Sequence, residues 1–196
     1  ALSSAASDVY KRQNLRNAKA TDTYILKGEG VETWEPKFTY HGFRYVQVEG
    51  LPHAPKVGDI RVKIVRNAVA PVGKFHCSNE LLNRIHRMVV ATEASNLHGV
   101  PTDCPQRDER MGWLNDLTVR IEQAVYNFDF SRFYAKFIDD IADTQHEDGT
   151  ITCVAPYRFG ARPADPVSAS YLLLAWKSYE YYGNRNIIRD HYDGLK

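Results

Sequence analysis

A switch in apolar spacing near residue 71 constrains this chain more than any other feature. Before it, Ile60, Val62 and Ile64 alternate with Arg61 and Lys63, the two-residue period of a strand with one buried face. After it, Leu81, Leu82, Ile85, Met88 and Val89 recur at helical spacing. Pro71-Val72-Gly73, a breaker between the two textures, reads as a linker. One secondary-structure class cannot satisfy both periods. The spacing therefore predicts a β part over residues 14–70 and a helical part over residues 71–196.

The β part carries two further runs. Tyr24-Ile25-Leu26 is a short apolar stretch, and Phe38, Tyr40, Tyr45, Val46 and Val48 form a strand-like stretch around Gly42, predicted to sit at a bulge. Gly50-Leu51-Pro52 and Gly58-Asp59 interrupt it. Three strands make a poor sheet alone, so further strands are expected upstream. Residues 1–13 are expected to stand outside the fold, as a foreign or disordered segment. Ala1 to Ala6 is small and polar, and Asp8-Val9-Tyr10-Lys11-Arg12-Gln13 resembles the in-frame translation of a sequencing adapter.

In the helical part, Ser78 is predicted as an N-cap with Glu80 in the first turn. Helical spacing returns in Leu117, Ile121, Ala124, Val125 and Phe128, then in Phe133, Phe137, Ile138 and Ile141 with a stop near Glu147-Asp148-Gly149. Ile151 to Val154 reads as a short strand. A further helix runs from Val167 to Tyr182 with Gly183 just past its end, and its Leu172-Leu173-Leu174 run predicts burial on more than one face. A last helix begins near Asn186.

Composition narrows the function classes. The net charge is +1 and no basic block is present, so neither nucleic acid nor an acidic membrane surface is an expected partner. The longest apolar run, Tyr171 to Trp176, is too short to span a bilayer. Cys77, Cys104 and Cys153 are odd in number and lack metal-ligand spacing, which predicts buried free thiols and no metal site. The compartment is left open.

The most informative stretch is a polar loop over residues 95–114, long for a connection between packed helices. With the residues just after it, it reads Pro101-Thr102-Asp103-Cys104-Pro105-Gln106-Arg107-Asp108-Glu109-Arg110-Met111-Gly112-Trp113-Leu114-Asn115-Asp116. Glycoside hydrolysis needs a carboxylic acid to protonate the leaving oxygen, and groups to hold sugar hydroxyls and the ring's C–H face. Carboxylates, guanidiniums and a tryptophan are all here. A solvated ion-pair cluster with Trp113 as a packing plug would use the same residue types.

The stretch Asp103 to Arg110, followed by Gly112-Trp113 and Asp116, resembles the signature of bacterial α-L-rhamnosidases of glycoside hydrolase family seventy-eight. Phe38-Thr39-Tyr40-His41-Gly42-Phe43-Arg44-Tyr45 resembles the end of that family's β-sandwich domain, and the helices from Ser78 the start of its (α/α)6 toroid. The resemblance implies a mixed fold: the last strands of a β-sandwich over 14–70, then the first helices of a six-hairpin toroid over 71–196. It implies that Glu109 is the general acid, that Asp103, Arg107 and Asp116 bind rhamnose hydroxyls, and that Trp113 lines the sugar site. It implies inverting cleavage of terminal α-L-rhamnose from a glycoside, oligosaccharide or polysaccharide, with no metal or cofactor. Asp108 and Arg110 are then structural, paired with each other or with the loop backbone, and Cys104 packs. For Glu109 to hold a proton, burial or the nearby carboxylates Asp103, Asp108 and Asp116 would have to favour its neutral form.

Two departures stand out. The family's general base is a glutamate beyond residue 196, so none of Glu122, Glu147 or Asp165 is assigned that role. Many relatives carry a Trp-Gly-Asp element where this chain has Asp165-Pro166-Val167-Ser168-Ala169-Ser170. Lesser candidates are His98 near the loop, His41 in the strand or its turn, Tyr179, Tyr181 and Tyr182 as core or stacking residues, and Arg158, Arg162 and Asp165 at the pocket mouth. A sugar-binding module without turnover and a purely structural helical domain are the alternative readings.

Overall fold

Helical spacing after residue 73 becomes six helices in a computed structural model that describes residues 2–5, 15–160 and 169–196. The described residues divide into two units: 1–65 with 104–110, and 66–103 with 111–196. The predicted linker therefore belongs to the helical unit. There Pro71 bridges Phe128, and the Val72 N–H donates to the Asn127 carbonyl at 2.9 Å.

The first helix, α1, spans Glu80–Ser95. Its N-cap is Asn79, one residue after the predicted Ser78, and Asn79 Oδ1 accepts the Leu81 N–H at 2.9 Å. Asn83 helps fix that start. Its side chain exchanges two hydrogen bonds with the Cys77 backbone, at 2.9 and 2.8 Å, closing the turn before the cap. The face of α1 that docks is not the one expected. Leu81, Leu82, Ile85 and Met88 are exposed among the described residues. Asn83 and Glu93 are buried instead, with Val90 and Ala94 packed on the core.

The second predicted helix is two: α2, Leu114–Thr118, and α3, Ile121–Asn127. The break leaves Arg120 at the α3 N-cap, where its guanidinium pairs with the buried Glu93 of α1. A carboxylate taken out of water requires such a partner. α4 spans Ser131–Ala142 and ends five residues before Glu147, because the Thr144 hydroxyl and the Gln145 N–H turn the chain back onto the carbonyls of Ile141 and Ala142. α5 is described over Ala169–Tyr182 and α6 over Arg185–Leu195. Gly183, at φ +65°, donates its N–H to the Tyr179 carbonyl at 2.8 Å, the helix end the sequence predicts.

α5 packs against α2, α3, α4 and α6 and forms the centre of this unit. Phe133, Phe137, Ile138 and Ile141 of α4 are buried against Tyr171, Leu174 and Ala175 of α5, as their spacing requires. Leu172 and Leu173 are exposed, so α5 buries one stripe here and not several. Ile151 and Val154 are buried, but the expected strand reduces to one bridge between Val154 and Trp113. The three cysteines are each half-buried, where full burial was expected.

The β unit departs further from its sequence. Its sheet holds three antiparallel strands in the order β2-β1-β3: β1 Leu2–Ala5, β2 Thr21–Asp22 and β3 Tyr45–Val48. Residues 2–5 were expected to lack structure, yet they form the middle strand, with Leu2 opposite both Asp22 and Val48. Backbone hydrogen bonds make a ladder without needing an apolar face, so small polar residues gave no signal. The alternation Ile60-Val62-Ile64 is no strand: all three are exposed, as are Ile25 and Leu26 of the earlier run. A half-buried strand needs a paired edge and a covering layer, and the described residues of this unit provide neither to it. Gly42 lies outside any strand, so the predicted bulge is absent. No helix among the described residues is long and apolar enough to cross a membrane.

Candidate active-site segment

The predicted structureless loop contains a short hairpin. β4, Thr102–Asp103, pairs antiparallel with β5, Met111–Gly112. Asp103 sits opposite Met111, so the seven residues 104–110 are the connection between two paired strands. That connection belongs to the β unit and its base to the helical unit, and each part has its own supports.

Within the β unit, Glu109 is the most enclosed carboxylate of the segment, 9% exposed. Arg107 donates to its Oε2 from Nε at 2.8 Å and from Nη2 at 2.7 Å. Arg16 adds a third contact to the same oxygen, Nη1 to Oε2 at 3.0 Å. Two guanidiniums thus pair with one oxygen of Glu109. Enclosure accounts for the pairing, since a carboxylate removed from water is stabilised by guanidiniums. Asp108 is exposed and accepts the Asn17 N–H at 3.3 Å.

Arg110 is the brace of the loop. Its backbone is left-handed at φ +53°, a conformation that costs a non-glycine residue of order 1 kcal/mol and must be held by its surroundings. Its Nε donates to the Pro105 carbonyl at 3.1 Å and its Nη2 to the Tyr40 carbonyl at 2.6 Å, while the guanidinium lies 4.2 Å from the Tyr40 ring centre. The expected backbone pairing of Arg110 is present. Gly42 meets the same loop closely: a Cβ there would lie 2.7 Å from Gln106 Cβ, so a larger residue would push the segment away. His41, next to it, bonds Asp22 of β2 at 2.9 Å.

Within the helical unit, Asp103 lies half-buried on β4 and Asp116 exposed in the first turn of α2. Trp113 precedes α2 directly and bridges Val154, and the Leu114 N–H donates to the Cys153 carbonyl at 3.0 Å. Gly112 explains its own presence before Trp113. A Cβ there would stand 2.3 Å from the Ala155 carbonyl oxygen and 3.0 Å from the Phe137 ring. The indole packs edge-on against Phe159, with ring centres 6.5 Å apart. Phe159 thus brings the 155–160 stretch against Trp113. Arg162 and Asp165, and with them most of the stretch where relatives carry Trp-Gly-Asp, lie outside the described residues.

The structure joins Arg107 to Glu109 and places Asp103, Trp113 and Asp116 on β4, before α2 and in α2. Arg16 and Phe159 were missed. Arg16 is 93 positions from Glu109 in a stretch read only for strands, and Phe159 is one aromatic in a loop without periodicity. Glu122, declined as a base, is exposed on α3, where the Lys177 ammonium holds its carboxyl below the usual range. Of the tyrosines, Tyr182 accepts the Phe130 N–H at 2.9 Å and packs on the core, and Tyr181 bonds Glu122 and Tyr126 on the surface.

Residues 70–196 match the family model described as the bacterial alpha-L-rhamnosidase 6 hairpin glycosidase domain, and residues 4–66 the one described as the bacterial alpha-L-rhamnosidase concanavalin-like domain. An alpha-L-rhamnosidase of Streptomyces avermitilis is 39% identical over 179 residues, which is 90% of this chain and 17% of that protein. Among solved structures, the alpha-L-rhamnosidase from Dictyoglumus thermophilum superposes with a TM-score of 0.92 at 46% identity, covering 98% of this chain and 22% of that one. A Streptomyces avermitilis alpha-L-rhamnosidase complexed with L-rhamnose gives a TM-score of 0.91 at 35% identity, over 98% of this chain and 19% of that one. The chain thus spans about a fifth of the length of these proteins. The order of a β-sandwich segment before six-hairpin helices is the one the sequence predicts.

Proposed function

The chain belongs to the bacterial α-L-rhamnosidase family, and from that premise we propose that it is the acid-bearing part of a longer enzyme that removes terminal α-L-rhamnose from glycosides, oligosaccharides or polysaccharides. Glu109 gives its proton to the glycosidic oxygen as the bond to the anomeric carbon breaks. Water attacks that carbon from the opposite face, deprotonated by a carboxylate outside residues 1–196, and the configuration inverts. Asp103 and Asp116 accept hydrogen bonds from rhamnose hydroxyls. Arg107 donates to the sugar as well as to Glu109, and Trp113 offers an apolar face to the ring C–H bonds. Without the Trp-Gly-Asp element, one wall of the sugar site differs from that of many relatives.

The observation that supports this reading best is the state of Glu109. It is the most enclosed carboxylate of a segment rich in them, on a loop braced by Arg110. A solvated ion-pair cluster would show no such selective enclosure.

The test uses leaving groups in the full-length enzyme. Glu109→Gln preserves shape and removes the proton, and general acid catalysis is worth about 10²–10⁴-fold. A nitrophenolate departs without protonation and an alkoxide does not. The variant is therefore expected to lose about 10²–10⁴-fold in kcat/KM on an alkyl or sugar rhamnoside and far less on nitrophenyl rhamnoside. Asp116→Asn, acting on sugar hydroxyls, is expected to slow both alike. Equal losses on the two substrates for Glu109→Gln would remove it from the acid role.

A further inference from the structure

We propose that Gly42 is a positioning residue for the acid: by carrying no side chain, it sets how closely the 104–110 loop can seat, and so where Glu109 stands. The proposal rests on Glu109 being the general acid. The backbone at Gly42 does not call for glycine, because its φ lies outside the left-handed region. What calls for it is space. A Cβ at Gly42 would lie 2.7 Å from Gln106 Cβ, 3.2 Å from Gln106 Cα and 3.6 Å from Gln106 N. These are the main chain of the loop and its first side-chain atom, which cannot swing aside as the end of a long side chain can.

The other end of the loop rests on the same stretch. Arg110 donates from Nη2 to the Tyr40 carbonyl at 2.6 Å and from Nε to the Pro105 carbonyl at 3.1 Å, with its guanidinium 4.2 Å from the Tyr40 ring centre. Between Tyr40 and Gly42, His41 bonds Asp22 of β2 at 2.9 Å, both residues half-buried. Three consecutive residues thus have three tasks: Tyr40 holds Arg110, His41 ties the stretch to the sheet, and Gly42 leaves room for Gln106. Glu109 lies between the two held points, directly before the left-handed Arg110. A carboxyl hands over its proton only within about 2.6–3.2 Å of the accepting oxygen. Carbon atoms rest about 3.5–4.0 Å apart, so a methyl group at position 42 would drive Gln106 back by roughly 1 Å. A displacement of that size costs about 10²-fold in rate. It falls on the proton transfer, whereas a loss of packing alone would slow every substrate alike.

The experiment is a size swap in the full-length enzyme, read as kcat/KM on methyl and nitrophenyl α-L-rhamnoside. Gly42→Ala is expected to lose about 10²-fold on the methyl glycoside and far less on the nitrophenyl one, whose leaving group departs without a proton. Gln106→Gly removes the Cβ that the new methyl group meets, so the double variant Gly42→Ala/Gln106→Gly is expected to recover most of the loss. Arg110→Met frees the other end of the loop and is expected to lose about tenfold, the scale of one hydrogen bond from a charged group, again mainly on the methyl glycoside. Should Gly42→Ala fail to fold, the double variant and Arg110→Met decide. Equal losses on the two substrates, no loss, or a double variant no better than Gly42→Ala would overturn the role of Gly42. A Glu109→Gln that does not discriminate between the substrates removes the acid assignment itself, and that result is distinct from a discriminating Glu109→Gln beside a Gly42→Ala that slows both alike.

Discussion

The two units of this chain treat their apolar residues in opposite ways. The helical unit encloses Leu114, Leu117, Phe130, Tyr134, Phe137, Ile138, Ile141 and Leu174 almost completely. The β unit leaves Ile25, Val31, Phe38, Val57, Val62 and Ile64 more than half exposed. Composition does not account for this, since both stretches carry strong apolar patterns. The difference lies in where each element finds its partners. A helix satisfies its backbone internally and packs on neighbours close in sequence, as α4, α5 and α6 do. A strand must find another strand for its backbone and a second layer for its face. An apolar pattern is therefore only a capacity to be buried, which α4 realises and α1 and residues 60–64 do not within the described residues.

Substitutions can break that contrast. The largest effect is expected for Phe137→Ala in α4. The ring is fully buried and also contacts the space that Gly112 must leave open, and such a truncation costs about 3–5 kcal/mol. Chemical denaturation followed by helix circular dichroism measures it, and a loss below about 1 kcal/mol would mean that the core relaxes around the cavity. Next comes an alkaline effect confined to the helical unit. Burial raises the Tyr134 pKa, with the charge of Glu93 adding to it. The folded state therefore keeps the phenol neutral where the unfolded chain ionises. Its contribution is intact below pH of about 10 and declines above it by up to about 1.4 kcal/mol per pH unit. Tyr134→Phe is expected to flatten that decline in denaturation midpoints measured from pH 9 to 11.5, and an unchanged slope would place the titrating group elsewhere. The smallest effect is expected for Ile64→Ser in the β unit. At 88% exposure the side chain loses no buried area, so stability stays within about 0.5 kcal/mol of the parent. A larger loss would show that residues 60–64 are covered in solution, and the contrast between the units would shrink.

Legibility in the sequence followed the same division. The core face of α4 and the glycine after Tyr182 could be read because each depends on residues within a few positions. The cap of α1 shifted by one residue because Ser78 and Asn79 are both good caps, and the choice fell to Asn83 and its return to Cys77. The split between α2 and α3 was hidden because apolar spacing runs on from Leu117 to Ile121, while the buried pair that marks the break joins residues 27 apart. In the segment from Asp103 to Asp116, the resemblance to the family signature singled out Glu109 and Arg107 as candidates. It said nothing of the paired strands at the base of the loop, whose Thr102–Asp103 and Met111–Gly112 are too short to show a period.

The sequence by itself determined the division into a β part and a helical part, the family signature from Asp103 to Asp116, and the faces that α4 buries, because local spacing and residue chemistry are properties of a few neighbouring positions. Tertiary structure alone decided which charges meet. A glutamate in a loop has no partner until the chain brings one through space. Burial removed Glu109 from water, the electrostatic cost of that removal called for cations, and the fold supplied one from beside it and one from Arg16, 93 residues away.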